Sequence, residues 1–348
     1  MAFQRFLAVE IYLVLFVLAG YPSYPLKEQY FYYAVGKSMD IDVRNLSYHG
    51  NETCGVYPND TAYQEREQVQ AKTAEISMYI QLAYFIPAML SMLIYGGYSD
   101  KIGRRLLFIL PPLGCAMEAG LTMAIIHFEL PLWTFYISPV FNVFFGGPSV
   151  VYTAIYSYIA DTTLWNKRVI RMIIIDMLRG LLGGFVQLAI GYWIRKSYFY
   201  PYCLVIGVYF LTFFYALFVI PESLFQQSPA RLLKDMCKAI ALYVKDNGRK
   251  RRWKLWILQL AMIVEILFMS TSVFTLYEMN NPLCWDSVFI GYYGAIVNTV
   301  KAVGGIPGAL MRRYMEDHWL ALLGKLSMAV EFMYLAFVET SLMMYFGE

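Results

Sequence analysis

The chain has 348 residues, 59% of them hydrophobic and 18% aromatic, with 15% charged and a net charge of +3. Soluble domains carry about 25% charged residues, so this composition excludes one large soluble core and points to repeated membrane spans. The basic residues form no stripe and sit between apolar runs, which argues against a nucleic-acid-binding surface.

The N-terminus begins MAFQRFLAVEIYLVLFVLAG. A short basic head before an apolar run fits a cleaved signal peptide, yet the run has no small-residue exit and continues through Tyr and Pro. A retained first span is the favoured reading. A bilayer core takes roughly 20 apolar residues per helix. On that measure the spans are 8–29, 75–98, 105–127, 132–160, 169–194, 200–220, 255–277, 288–309 and 319–345, about nine in all.

Charge orients them. Connections on one side hold Lys101, Arg104 and Arg105, then Lys167, Arg168 and Arg171, then RKRRWK at 249–254, then Arg312 and Arg313. Cytoplasmic loops carry the excess of Lys and Arg, so the N-terminus is expected inside and the loop 30–74 outside. That outer loop holds three N-x-S/T sequons, at Asn45, Asn51 and Asn59. Sequons are short and arise by chance, but their clustering in one outer loop favours a glycosylated surface. The segment 221–254 reads as a cytoplasmic linker. Residues 1–220 then form a six-helix N-terminal half, and 255–348 a partial C-terminal half of three helices. Six spans, a polar linker and further spans is the plan of a transporter with repeated halves.

The stretch GGYSDKIGRR lies between the second and third spans. Gly96 lets helix backbones approach closely, Gly103 permits a tight turn, and Arg104 and Arg105 hold the loop at the cytoplasmic surface. Asp100 sits where a helix ends and can pair with Arg104 or with the positive end of a neighbouring helix. Such a charge latch can break and re-form during alternating access. The five cysteines, Cys54, Cys115, Cys203, Cys237 and Cys284, show no CxxC spacing, so neither a metal site nor a cofactor is expected.

Gly96, Asp100, Gly103, Arg104 and Arg105 resemble the loop signature of the major facilitator superfamily. Downstream, FTLYEMNNPLCWDSVFIGYYG at 274–294 resembles the end of the seventh span, the outer loop and the eighth span of the proton-coupled folate transporter family, which includes the thymic stromal cotransporter. IADTT at 159–163, RMIIID at 171–176 and PESL at 221–224, where the family has GETL, agree. The resemblance covers nearly the whole chain. It implies an all-α polytopic membrane protein on a twelve-helix plan, incomplete here after the ninth span.

Ionisable groups inside spans are costly and are functional candidates by default. The resemblance places Asp176 where the family has a glutamate implicated in proton coupling. Arg179, three residues on, shares its helix face, which supports a static pair as the competing reading. Glu265 is a second proton-relay candidate. Glu118, Arg179, Lys301, Tyr152 and Tyr156 are candidates for the substrate cavity, with mutual pairing and packing as the alternative. Glu222 matches the family's glutamate at the cytoplasmic exit and is a gating candidate, a solvated helix end being the alternative. Cys54 and Cys284 both fall in outer loops, and the resemblance implies a disulfide between them. The sequence departs from the family at Leu267, Pro139 and Gly147, which stand where the family has a histidine, an arginine and an aspartate.

These readings give a transporter, not an enzyme. It would move an organic anion of folate or pteridine type by alternating access with protons, at the plasma membrane or an endolysosomal membrane. The rival is a non-transporting truncated isoform or fragment, able to associate with full-length relatives. A receptor or intramembrane enzyme is disfavoured, because the spans hold no acid pair, metal cluster or nucleophile motif.

Overall fold

A computed structural model describes residues 2–41, 43, 61–224, 241, 244, 251–268, 271–280, 283–312 and 314–347. All regular structure among them is helical. The helices are α1 (Ala2–Ser38), α2 (Thr61–Ile102), α3 (Leu106–Phe128), α4 (Thr134–Phe144), α5 (Gly147–Thr162), α6 (Trp165–Ile194), α7 (Phe199–Val219), α8 (Arg251–Phe268), α9 (Thr271–Met279), α10 (Ser287–Met311), α11 (Asp317–Leu335) and α12 (Ser341–Phe346). Six stretches are long and apolar enough to cross a bilayer: Leu7–Ser38, Tyr63–Ser99, Leu106–Phe128, Thr134–Thr162, Lys167–Ile194 and Phe199–Val219. They correspond to the first six expected spans. The last three expected spans are also largely helical, and among their described residues no stretch meets the same measure. The chain is an all-α polytopic membrane protein.

Two details differ from the sequence reading. The first helix runs past its apolar stretch to Ser38 and the second begins at Thr61, so much of the expected outer loop 30–74 is helical. Hydropathy marks where a helix leaves the hydrocarbon, and the backbone hydrogen bonds carry on beyond that point. The fourth span is broken between α4 and α5, where Gly146 and Gly147 take φ of 99° and 63°. Only glycine enters that region without strain, so the pair turns the chain within the span. The seventh expected span holds α8 and α9, with 269–270 between them outside the described residues.

The core of the first six spans is aromatic and aliphatic. Leu13 and Phe16 of α1, Phe108 of α3, Tyr158 of α5 and Tyr202 of α7 pack in one buried cluster. Tyr12 lies within it and donates its hydroxyl proton to the carbonyl of Phe108 at 2.9 Å, which satisfies an otherwise orphaned phenol. On the outside of α2, Met78, Leu82, Phe85, Ile86, Met89 and Leu90 are exposed. An apolar exterior on a helix is what lipid contact requires.

The most extensive helix pairing is α6 on α10. Glycines set it. A Cβ at Gly191 would lie 2.7 Å from the Ser287 carbonyl oxygen and 3.2 Å from the Cα of Gly291, and one at Gly184 would lie 2.9 Å from the Ala295 carbonyl. Small residues let membrane helices approach to backbone contact, where dispersion replaces the hydrophobic effect that lipid cannot supply. At the start of α10, the Asp286 carboxylate caps the helix by accepting from the amides of Val288 (3.1 Å) and Phe289 (2.9 Å).

Candidate functional site

At one end of the bundle the GGYSDKIGRR stretch forms the turn from α2 to α3. Gly103 has φ 128° and its amide bonds back to the Ser99 carbonyl at 3.2 Å. Against this turn lies Glu222, just beyond α7. One carboxylate oxygen accepts the Arg104 amide at 2.8 Å and the other the Arg105 amide at 3.1 Å. The first also accepts the amides of Ser223 and Leu224. Glu222 therefore accepts the two backbone amides that immediately precede α3 and sets a full negative charge at that helix's N-terminus, the placement a helix dipole favours. The Arg104 guanidinium bonds Asp161 of α5 at 3.2 Å and the Ser99 hydroxyl at 2.8 Å. Arg105 donates to the Leu217 carbonyl. Gly96 accepts the Ser99 hydroxyl proton on its carbonyl. The Asp100 side chain lies outside the described residues. The structure thus joins the latch candidates Gly103, Arg104 and Arg105 to the gating candidate Glu222, and adds Asp161 of the IADTT stretch.

A side chain at position 103 would collide with that carboxylate: a Cβ would lie 2.2 Å from Glu222 Oε2 and 2.6 Å from its Cδ. Gly103→Ala should cost about 1–3 kcal/mol, because strained backbone adds to the displaced cap. Thermal melting of the purified protein checks this, and an unchanged midpoint would show that the turn accommodates the methyl group.

The second cluster lies inside the membrane spans. The Asp176 carboxylate on α6 accepts from the Tyr156 hydroxyl of α5 at 2.5 Å and lies 3.6 Å from the Arg179 guanidinium on its own helix. Arg179 sits over the Tyr152 ring at 5.1 Å, a cation–π distance. The same helix face meets α1, where a Cβ on Gly183 would run into the Tyr21 ring. The side chains of Asp176 and Arg179 are 45% and 36% exposed, so the pair is not sealed in the core. The structure therefore brings together four sequence candidates, Asp176, Arg179, Tyr152 and Tyr156.

Glu118 lies apart from them. One of its oxygens pairs with Lys27 of α1 at 2.9 Å, and the other accepts from the side-chain amide of Asn142 on α4 at 2.5 Å. Lys27 and Asn142 are partners that sequence reasoning misses. A further pair, Arg171 of α6 with Glu10 of α1 at 2.9 Å, is more deeply buried. Lys301 is exposed on α10, one residue from Ala302, whose Cβ packs at Gly180. The Glu265 side chain is outside the described residues, as are Cys54, Asn45, Asn51 and Asn59. Cys284 is disulfide-bonded, while Cys115 and Cys203 are free thiols. Across the bundle, α1 and α6 reach the later helices through Ser287 to Gln29 (2.6 Å), Tyr32 to Asn280 (3.1 Å) and Asn298 to Gln187 (3.0 Å).

No protein-family model matches the chain. Individual proteins do. The lysosomal proton-coupled steroid conjugate and bile acid symporter of Rattus norvegicus is 28% identical over 349 residues, covering 97% of this chain and 75% of the relative. The proton-coupled folate transporter of Rattus norvegicus is 26% identical over 331 residues, covering 93% and 70%. The human steroid conjugate and bile acid symporter is 26% identical over 357 residues, covering 98% and 76%. Over nearly its whole length the chain is similar to members of the proton-coupled folate transporter family. Alignments of that length run through all the helices described above, so the match rests on the whole membrane architecture and not on one motif. The family consists of solute transporters, not enzymes, which fits a site of paired charges and phenols in place of an activated nucleophile.

Proposed function

We propose that the protein is a proton-coupled symporter that moves an organic anion across the membrane by alternating access. The observation that carries this reading is the Asp176 carboxylate. It sits within a span, held by Tyr156 and Arg179, and it stays partly exposed. A carboxylate in this setting can exchange protons with water on one side and release them on the other. Arg179 and Lys301 supply positive charge for an anion, and Tyr152 and Tyr156 supply aromatic surface for a ring. Among the described residues, single hydrogen bonds join α1 and α6 to Asn280, Ser287 and Asn298, contacts that can be made in one state and broken in another.

Residues 1–220 and 255–348 act in this reading as two units joined by the linker 221–254. The N-terminus is cytoplasmic, the sequons at Asn45, Asn51 and Asn59 are glycosylated, and Cys54 bridges Cys284. The substrate class is read from the relatives' substrates, which are folate, steroid conjugates and bile acids. These share a rigid ring system and an anionic group. The membrane is the plasma membrane or an endolysosomal one. In cells displaying the protein at the surface, labelled folic acid, estrone sulfate and taurocholate are offered at about pH 5.5 and about pH 7.5. At least one should enter faster at the acidic pH. Equal, background-level entry of all three at both values would contradict the reading.

A further inference from the structure

The Lys27–Glu118 pair has no part in the proton path read at Asp176. Lys27 Nζ and Glu118 Oε1 are 2.9 Å apart, their side chains 22% and 19% exposed. Both charges lie within membrane spans, on α1 and α3. Glu118 is held from its other side by the Asn142 amide, which in turn accepts from the Cys115 thiol at 3.4 Å on its own oxygen. Asn142 can donate to the carboxyl group whether or not that group carries a proton, so the cradle serves both states. Lys27 has no such second acceptor among the bonds described.

The groups facing Glu118 are mostly phenols. Besides Lys27 they are Tyr24 on α1, Tyr84 on α2, Cys115 on α3 itself, and Tyr202 and Tyr209 on α7. Phenols and a thiol ordinarily titrate above neutral pH. Glu28 is the other carboxylate near Lys27. Tyr24 is 55% exposed, so the cluster reaches an accessible surface and presents a ring there. By the expected orientation, Lys27 lies near the outer end of its expected span and Glu118 near the middle of its own.

We propose that Lys27 is a substrate-anion site and that Glu118 is a second proton site coupled to it by competition. In the resting state Glu118 neutralises Lys27. An arriving anion takes its place on the ammonium, and the released carboxylate then has no counter-charge in a low-dielectric setting. Its proton affinity rises, and it takes one proton from outside water. Proton and anion enter together, the net charge of the site is unchanged, and each ligand tightens the other by the same factor. This rests on the symporter reading and deepens it by placing the anion.

Infrared difference spectroscopy on the purified full chain tests the proposal without relying on transport. Estrone sulfate, taurocholate and folic acid are added in turn at about pH 6.5. The expected result is a protonated-carboxyl band that appears with at least one anion and is missing in Glu118→Gln. In uptake, Glu118→Gln frees Lys27 permanently, so KM at neutral pH should fall about 10-fold and lose its pH dependence. Lys27→Met should raise KM about 10-fold at every pH, with partial recovery in Lys27→Arg. A pair that only holds helices together would instead lower surface amount and maximal rate, and leave the KM profile in place. A carboxyl band that none of the three anions moves overturns the proposal, even if uptake is found. A band that moves while no anion is taken up at any pH overturns the symporter reading and leaves the site standing.

Discussion

Replacing Glu10 with alanine should destabilise the protein by about 3–5 kcal/mol, the cost of leaving a buried charge without its partner. Arg171 is 6% exposed and Glu10 16%. Both the Nε and Nη2 of Arg171 donate to one Glu10 oxygen, at 3.1 and 2.9 Å, while Nη1 reaches the hydroxyls of Thr162 (3.2 Å) and Thr163 (2.8 Å). This one guanidinium ties the starts of α1 and α6 to the end of α5. The threonines would remain in Glu10→Ala but carry no charge. Glu10→Gln keeps the acceptor and should lose less, and Glu10→Leu with Arg171→Leu should recover most of the loss, because it removes the stranded charge. Melting midpoints and surface amounts of the four proteins check the order. A single alanine variant as stable as the parent would mean that water reaches Arg171 and the pair is not buried in the membrane protein.

Asp176→Asn should abolish the acid stimulation of the maximal uptake rate, bringing the ratio of saturated rates at about pH 5.5 and about pH 7.5 to ~1. Asparagine keeps the shape and can still accept from Tyr156, but it cannot take or give up a proton. The sign follows. The carboxylate is protonated more often as outside pH falls, and the variant is fixed in a neutral state. Asp176→Glu should retain the stimulation, with a shifted midpoint. The nearby Arg179 makes a purely structural pair the competing account, and the two differ in readout. Loss of a structural pair lowers rates equally at both pH values. Full acid stimulation in Asp176→Asn would assign the coupling elsewhere.

The sequence made local features readable and left distant ones hidden. Asp176 and Arg179 are three residues apart on one helix, and helical spacing alone places them side by side. The apolar runs and the alternation of basic loops mark the first six spans, because a bilayer sets both length and charge placement. The partners of the other charges are far away along the chain. Lys27 is 91 residues from Glu118, Glu222 is 118 from Arg104, and Arg171 is 161 from Glu10. No periodicity reports such pairings. Lys27 also lies near the end of an expected span, where a lysine passes for an interface anchor that extends toward water. The break between α4 and α5 was visible only as two glycines in an otherwise apolar run, and their positive φ values come from the packing around them.

The most direct test uses the purified chain in sealed lipid vesicles, with labelled estrone sulfate, taurocholate or folic acid outside and an imposed pH gradient. Proton coupling predicts that an acidic exterior drives at least one of these anions above its outside concentration, and that a protonophore collapses the accumulation. Uptake that only equilibrates, at the same rate with and without the gradient, would contradict it.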